Sequence, residues 1–432
     1  VFTNQSIVEA NHAATIAARV DLGGVVNTSA LTDLELLGGS PADPNRISGG
    51  SIAGLGMVSL VNTALVGYGT IETTPPGGLG TEIRADDGVL SLLGVAPAVG
   101  LLGTAAADGQ LHLASPLTAG GGDLVELLGG RLVAPSVTLA SGSFLRLRDA
   151  PFGIVEAASI RFEDGSTTVI ADAGSQLRLA GDSWIDRQAD LTGLGTLVNT
   201  AGRRMQIDSD ATLDVALRNT GTLELGVGVG QVETLEFVQT AAGVLEFDVA
   251  GLTPGTEHDH LTVAGGSTAT LAGTLAVEVS GPYIPTVGDS LEIISAPGGV
   301  VGQFTSEKLP TLAPLTVWDV VYAADHVTLE VIEGLTTDFD EDGVSGGSDF
   351  IAWQRGYPDG TTVTEGDSDG DGDVDRDDLL RWQAEFGHEA ALPAALVARP
   401  SFAAIPEPTT FGLLAIGCLM LLRGRSKQRR AG

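Results

Sequence analysis

From residue 1 to about 333, short runs of alternating apolar and polar residues are separated by Gly, Thr, Asn and Asp. In the run Ser136–Leu139, for example, Val and Leu alternate with hydroxyl residues. A period of two residues is typical of strands with one buried face, and no long run has the 3.6-residue period of an amphipathic helix. We therefore predict a mainly β region over 1–333, built of many short strands joined by tight turns.

Part of this region repeats. Ser136–Ser143 returns 23 positions later as Ser159–Ser166, and a looser copy follows at Gln176–Asp182. A unit of roughly 17 to 23 residues suits one coil of a parallel β-helix, in which coils stack about 4.8 Å apart and bury their apolar faces against each other. Asn-Thr pairs recur at predicted strand ends, where an Asn side chain can satisfy backbone groups of a corner. They begin at Asn27, Asn62, Asn199 and Asn219.

A β-sandwich is the alternative, because it also has short strands with turns every 8 to 12 residues or so. The repeats favour the solenoid over residues 1–230. In 231–333 prolines interrupt the pattern, so a separate capping sandwich remains open there. These prolines are Pro254, Pro282, Pro285, Pro297, Pro310 and Pro314.

The segment 237–289 resembles the last segment of bacterial proteins with autotransporter-type β-strand repeats. The matching positions are Phe237, Gly243, Leu245, Phe247, Val249, Gly255, Asp259, Leu261, Val263, Leu271, Gly273, Leu275, Gly288 and Asp289. The resemblance covers about a quarter of the chain. It implies a β-solenoid that is exported to the cell surface.

Residues 338–388 contain two acidic loops with the spacing of EF-hand calcium loops. Calcium takes six to eight oxygen ligands, and a glycine at position 6, here Gly343 and Gly372, permits the sharp turn between them. Positions 1, 3, 5, 7 and 12 are Asp338, Asp340, Asp342, Val344 and Asp349 in the first loop, and Asp367, Asp369, Asp371, Asp373 and Asp378 in the second. We predict two Ca²⁺ sites.

The loops lie 29 positions apart, and so do the apolar residues of the helix predicted after each: Phe350, Ile351, Trp353 and Tyr357 correspond to Leu379, Leu380, Trp382 and Phe386. Each helix presents one apolar stripe, so the two halves are expected to bury their stripes together. A solvated acidic linker is the alternative interpretation. The matched phase of the two Trp-Gln pairs argues against it.

This pair of loops and helices resembles the type I dockerin module. The resemblance implies that the ten loop residues named above are the calcium ligands, with Val344 and Asp373 contributing backbone oxygen, and that the partner is a cohesin-like protein. The sequence departs from the family at position 8, which is Ser345, and at position 9, which is Gly346. It also departs at the partner-reading positions 10 and 11, which are Gly347 and Ser348 in the first loop and Arg376 and Asp377 in the second.

The C-terminal segment 405–432 follows a linker over 389–404. Its apolar run Phe411–Leu422 would span about 18 Å as a helix, which is short for a hydrocarbon core of roughly 30 Å. Pro406, Glu407 and Pro408 precede the run, and a basic cluster follows it. This arrangement resembles a PEP-CTERM sorting signal, which implies insertion of 409–422 in the inner membrane and processing by an exosortase-type enzyme. An ordinary short anchor is the alternative.

Charge and cysteine content agree with an exported protein. The formal net charge of −33 makes nucleic acid a poor partner and favours calcium or an extracellular polysaccharide. Cys418 is the sole cysteine, so no disulfide framework supports the fold. The chain begins at Val1 without a basic and apolar leader, and we expect a removed signal peptide or a trimmed start. The predicted location is the cell envelope, cell surface or extracellular matrix.

Nothing in the sequence predicts a catalytic residue. The carboxylates of the β region are dispersed, and the cluster Glu257, His258, Asp259 and His260 lacks a third metal ligand, so we expect a structural role for it. The predicted function is that of a non-catalytic surface or matrix protein. The alternative is a polysaccharide-binding or polysaccharide-degrading β-helix, either a lyase or a glycoside hydrolase.

Overall fold

The computed structural model is mainly β, with 51% strand and 7% helix, and it forms a β-solenoid, which confirms the predicted fold class. The structure describes residues 100–209 and 211–389 and, before them, the segments 2–4, 7–10, 14–16, 20–28, 33–36, 42–54, 57–60, 64–72 and 82–94. Two compact units divide the chain at Ile332 and Glu333.

Strands follow one another along the described part of the first unit. The first seventeen are β1 Phe2–Asn4, β2 Ile7–Ala10, β3 Ala14–Ile16, β4 Val20–Leu22, β5 Val25–Thr28, β6 Asp33–Leu36, β7 Asn45–Gly54, β8 Met57–Leu60, β9 Ala64–Ile71, β10 Glu82–Leu92, β11 Leu101–Thr104, β12 Gln110–Leu113, β13 Leu117–Ala119, β14 Leu124–Leu127, β15 Arg131–Val133, β16 Ser136–Leu139 and β17 Phe144–Leu147. Then come β18 Phe152–Phe162, β19 Thr167–Ile170, β20 Gln176–Ile185, β21 Asp190–Asn199, β22 Arg204–Ile207, β23 Thr212–Asn219, β24 Thr222–Leu225, β25 Gln231–Gln239, β26 Val244–Val249, β27 His260–Val263, β28 Ala269–Leu271, β29 Thr274–Val279, β30 Ser290–Ser295, β31 Val300–Gly302, β32 Ser306–Lys308, β33 Thr316–Tyr322 and β34 His326–Glu333.

Successive coils stack by parallel pairing, so a β-sandwich, which is built from antiparallel sheets, is excluded. The register follows the repeat found in the sequence, because Ser136 pairs with Ser159 and Leu139 pairs with Phe162. The looser copy at 176–182 does not continue this register. Ser159 pairs instead with Asp182, and Gln176 pairs with Phe152, which lies seven positions before Ser159 on the same strand β18.

The core consists of columns of stacked side chains that point into the solenoid. One buried column contains Val137, Ile160, Ser183, Met205, Leu223, Leu245 and Leu275. The strand alternation places every second residue on this inner face, and stacking brings apolar residues of neighbouring coils into contact. This is why a chain with few aromatic residues has a continuous core.

A second inner column changes from apolar residues to amides. Leu132, Val155 and Leu179 are followed in register by Asn199, Asn219 and Gln239, which are also buried. Each amide nitrogen donates to a carbonyl oxygen of the next coil, at 2.8 Å for Thr222 and Val244 and 2.9 Å for Thr274. The amides also bond to each other, at 2.9 Å and 3.0 Å. The prediction that Asn at strand ends satisfies backbone groups is confirmed for Asn199 and Asn219, while the side chains of Asn27 and Asn62 lie outside the described residues.

The solenoid continues beyond residue 231, so no separate capping sandwich begins in the described residues 231–333. Strand β26 pairs in parallel with β29, and β29 with β32, in the same way as earlier coils. The pattern ends at β34, which runs antiparallel to β30. Strand β34 therefore covers an edge that would otherwise expose unpaired backbone groups.

The second unit contains two helices of ten residues, α1 Gly347–Gly356 and α2 Arg376–Glu385, and a 3-10 helix Val363–Glu365. Both helices begin inside the predicted calcium loops. The linker from residue 390 onward and the predicted sorting segment 405–432, including Pro406, Glu407 and Pro408, lie outside the described residues. Within the described part of the chain, no helix is long and apolar enough to span a bilayer.

We expect Asn219→Ala to destabilise the solenoid by about 1–3 kcal/mol, because the carbonyl of Val244 and the side-chain amides of Asn199 and Gln239 each lose a hydrogen bond. Urea unfolding measured by circular dichroism tests this. Gln188→Ala, at an exposed turn, is the matched control and should change the unfolding free energy by less than about 0.5 kcal/mol. Equal stability of the two variants would contradict the role of the amide column.

Candidate metal centre

The first acidic loop is organised by its own carboxylates. Asp338 at position 1 accepts hydrogen bonds from the backbone N–H groups of Asp342, at 3.0 Å, and Gly343, at 2.8 Å. Asp342 at position 5 accepts from Val344 at 3.0 Å. The chain is thereby curled around the side chains that were predicted as ligands.

The second loop has the same pattern. Asp367 accepts from the backbone N–H groups of Gly370 and Gly372, at 2.7 Å and 3.1 Å, and Asp371 accepts from Asp373 at 3.1 Å. Two segments 29 positions apart thus have the same loop geometry. A solvated acidic linker would have no reason to repeat it.

Carboxylate oxygens converge in both loops. Ligand atoms of Asp338, Asp340 and Asp342 lie within 4.8 Å of one another, as do those of Asp367, Asp369 and Asp371 and those of Asp373, Asp375 and Asp378. Oxygens at such separations fit a hard divalent cation. The structure therefore brings together the predicted ligands at positions 1, 3 and 5 of each loop.

The position-12 carboxylates are buried and connect each loop to its helix. Asp349 accepts from Phe339 and Gly346, at 2.7 Å and 2.6 Å. Asp378 accepts from the backbone N–H groups of Ser368 and Asp375, at 2.6 Å and 2.7 Å. Each is the third residue of a helix and caps its N-terminus, where the helix dipole favours a negative charge. Their remaining lone pairs are the ones available to an ion.

Position 4 distinguishes the two loops. Both position-4 residues adopt a left-handed backbone conformation, with φ of 57° at Glu341 and 75° at Gly370. A left-handed conformation costs a non-glycine residue about 1–2 kcal/mol, whereas glycine adopts it freely. The second loop is therefore formed with less backbone strain than the first.

Two tryptophans cross-brace the loops. The indole N–H of Trp353 in α1 donates to the carbonyl of Asp375 in the second loop, and that of Trp382 in α2 donates to the carbonyl of Gly346 in the first, both at 2.8 Å. Phe350 packs against Trp382 with ring centroids 4.9 Å apart. The two apolar stripes therefore meet at Phe350 and Trp382, but they do not bury each other as predicted, since Tyr357 and Phe386 stay more than half exposed.

Mutual repulsion raises carboxylate pKa values in the second loop. The pKa of Asp369 is raised above 3.8 by burial and then by the charges of Asp378 and Asp371. The pKa of the exposed Asp373 is raised chiefly by Asp371. A bound cation would reverse the sign of these interactions.

The cluster around His258 is held by hydrogen bonds to backbone groups. His258 is buried, with its ring nitrogens 3.2 Å and 3.1 Å from the carbonyl oxygens of Gly251 and Glu292. Asp259 accepts from the backbone N–H groups of Gly230 and Asp248, at 2.6 Å and 2.7 Å. Burial nevertheless raises the pKa of Asp259 to about 8.

The structure gathers carboxylates that appear dispersed in the sequence. A groove of about 440 Å³ on the solenoid is lined by Glu224, Glu246, Asp248 and Glu278, together with Arg204 and Lys308. Arg204 forms ion pairs of 2.7 Å and 2.6 Å with Glu224 and Glu246. Burial, followed by the charges of Glu278 and Glu224, raises the pKa of Asp248. Only the register of the coils brings these residues together, since their sequence spacing is irregular.

Sequence reasoning also missed an acidic group on the solenoid, formed by Asp86, Asp87 and Asp108. Arg46 lies 4.0 Å from Asp86 and partly compensates its charge.

Comparisons with known proteins add no relative, since neither a protein-family model nor a curated protein matches this chain. Functional inference therefore depends on the geometry.

We expect calcium affinity to fall as pH decreases from 7 to 4. Calcium needs the carboxylate form of Asp369. Because the pKa of Asp369 is raised, protons compete with calcium for this group at pH values at which an ordinary aspartate would still be ionised. Calorimetric calcium titrations of the full chain at both pH values provide the measurement. Asp369→Asn should bind more weakly but with a flatter pH dependence. An affinity that is the same at both pH values in the unmodified chain would contradict the mechanism.

Proposed function

We propose that this chain is an exported bacterial surface or matrix protein. In this proposal a β-solenoid is displayed outside the cell and a dockerin-like module that binds two calcium ions mediates assembly. The supporting observation is the repeated loop geometry. In both halves the position-1 carboxylate accepts from the backbone N–H of position 6, position 5 accepts from position 7, and position 12 accepts from positions 2 and 9. The proposed ligands are Asp338, Asp340, Asp342, Val344, Asp349, Asp367, Asp369, Asp371, Asp373 and Asp378.

Calcium would act as a structural ion. Carboxylates about 4 Å apart repel by roughly 1 kcal/mol in water and by about 4 kcal/mol at an effective dielectric constant of 20. Two ions would remove this cost and tie each loop to the helix that it caps. In a unit of this size the free energy of metal binding is a large part of the free energy of folding.

Exposed apolar side chains support a protein partner for the module. Ile351 and Leu380 occupy equivalent positions on the two helices and are 46% and 47% exposed, and Tyr357 and Phe386 form a second equivalent pair at 54% and 55%. The proposed partner is a cohesin-like protein. For the solenoid, net negative charge favours an extracellular polysaccharide over nucleic acid.

Sorting would depend on the C-terminal segment. We propose that 409–422 inserts in the inner membrane and that an exosortase-type enzyme recognises Pro406, Glu407 and Pro408. The intact mass of the protein isolated from its native envelope tests this, with a chain processed near Pro408 as the expected result. Mature protein that retains the apolar run Phe411–Leu422 would contradict it.

A polysaccharide-degrading solenoid is the second candidate, favoured by the groove that contains Glu246 and Asp248. Acid-base chemistry on a glycosidic bond requires a protonated and an ionised carboxyl group near each other. The raised pKa of Asp248 beside Glu246 and Glu224 satisfies part of that requirement. Apart from this groove, no feature of the described residues favours this activity.

We expect the second calcium loop to bind more tightly than the first. It has seven aspartates within 367–378 and a glycine at position 4, whereas the first has Gly346 at position 9 and a strained Glu341. In calcium titrations of the full chain, Asp367→Ala should remove the tighter event and Asp338→Ala the weaker one. Asp359→Ala, which removes an exposed charge outside both loops, is the control. Loss of the tighter event in Asp338→Ala alone would reverse the assignment.

We expect no turnover of acidic or neutral polysaccharides in assays of reducing ends and unsaturated products. The non-catalytic proposal would be overturned by turnover that Asp248→Asn abolishes and Glu236→Gln preserves. Glu236 is an exposed carboxylate on β25 outside the groove, so its variant controls for loss of charge.

A further inference from the structure

A buried carboxylate near the end of the second unit is tied to the start of the first loop. Glu385 is the last residue of α2 and is fully buried. Its oxygens accept from the backbone N–H groups of Thr336 and Thr337, at 2.8 Å and 3.0 Å, and from both threonine hydroxyls at 2.8 Å. These threonines directly precede Asp338, the position-1 residue of the first loop.

The hydrogen-bond chain extends into the middle of the same loop. The Thr337 hydroxyl lies 2.7 Å from that of Ser345, which occupies position 8. A hydroxyl has one proton, and Thr337 uses it on Glu385, so Ser345 must be the donor in this contact. Ser345 also pairs through its backbone with the residues that follow α2: its N–H donates to His388 at 3.0 Å, and its carbonyl accepts from Gly387 at 2.8 Å.

The second loop has no counterpart of this chain. Its position 8 is Val374, a buried apolar residue. The residue equivalent to Glu385 is Gly356, where a Cβ atom would lie 1.8 Å from the carbonyl oxygen of Glu365. No side chain fits there, so the second loop is closed by direct backbone packing. Ser345, at which the sequence departs from the dockerin pattern, therefore belongs to a hydrogen-bond chain that only the first half of the module has.

We propose that Glu385 is a positioning residue for the first calcium loop. Glu385 holds residues 336–337 in place and, through Thr337, also holds the hydroxyl of Ser345. The Asp338 carboxylate is thereby placed for calcium, while Glu385 itself does not contact the ion. This inference rests on the proposed calcium function. The tether offsets the flexibility of Gly346 and Gly347 and makes the first site dependent on α2, which supplies both Glu385 and Trp382.

The test is loop-specific calcium affinity in the full chain. With Asp367→Ala as background, the remaining binding event reports the first loop; with Asp338→Ala, it reports the second. Glu385→Gln presents an amide N–H₂ where an acceptor is needed, and should weaken the first loop by roughly tenfold while leaving the second within about twofold. Thr337→Val keeps the side-chain volume but removes the hydroxyl that joins Glu385 to Ser345. This variant should also weaken calcium binding by the first loop.

Hydrogen exchange with and without calcium gives an independent readout. Glu385→Gln should lose protection in 336–346 and keep it in 367–378. Glu365→Gln, which removes a carboxylate at the corresponding entry to the second loop, is the matched control and should leave the first loop unchanged. Equal weakening of both loops, or no weakening of the first, would overturn the positioning role. Absence of calcium binding in the unmodified chain would instead contradict the proposed function.

Discussion

In-register parallel stacking is the constraint on which the solenoid depends. Each residue lies beside its counterpart one coil away, about 4.8 Å along the axis, so every inward position forms a column. An apolar column needs only complementary volume. In a polar column every side chain needs hydrogen-bond partners. The amides of Asn199, Asn219 and Gln239 find them by donating to carbonyl oxygens of the next coil. The same stacking concentrates like charges on the outer face and so creates the groove beside Arg204.

The second unit depends on a different interaction, the carboxylate that accepts backbone N–H groups. Asp338 and Asp367 curl their loops, while Asp349 and Asp378 cap the helices that follow. These bonds orient oxygens toward common points before any ion binds. Preorganisation of this kind lowers the conformational entropy that binding must overcome, at the cost of repulsion among the aligned charges. The proposed calcium ions would remove that repulsion.

Local patterns in the sequence were sufficient for much of this structure. Strand alternation predicted the β region, and the 23-residue repeat predicted the pairing of Ser136 with Ser159. The loop spacing predicted which aspartates converge. Prediction failed where the information is not local: the copy at Gln176 was assigned without the register that pairs Ser159 with Asp182. The carboxylates of the groove come from strands with irregular sequence spacing. The contact between Thr337 and Glu385 joins residues 48 positions apart, which no short motif encodes.

The distribution of charge separates the two units in physical terms. On the solenoid, some acidic residues have arginine partners in other coils, as Glu126 has Arg84 and Arg148 at 2.7 Å and 2.8 Å. Residues 338–388 contain fifteen acidic residues and three arginines, a net charge of −12, which is more than a third of the −33 of the whole chain. Three arginines cannot balance such an excess through internal ion pairs, so binding of the proposed calcium ions would relieve repulsion within the module. Two calcium ions would bring it to −8 and act where the carboxylates are closest. The solenoid, residues 1–332, also has an acidic excess, with 37 acidic and 13 basic residues, but its net charge of −24 is spread over more than six times as many residues. Calcium would therefore act chiefly on the module, where the negative charge is densest.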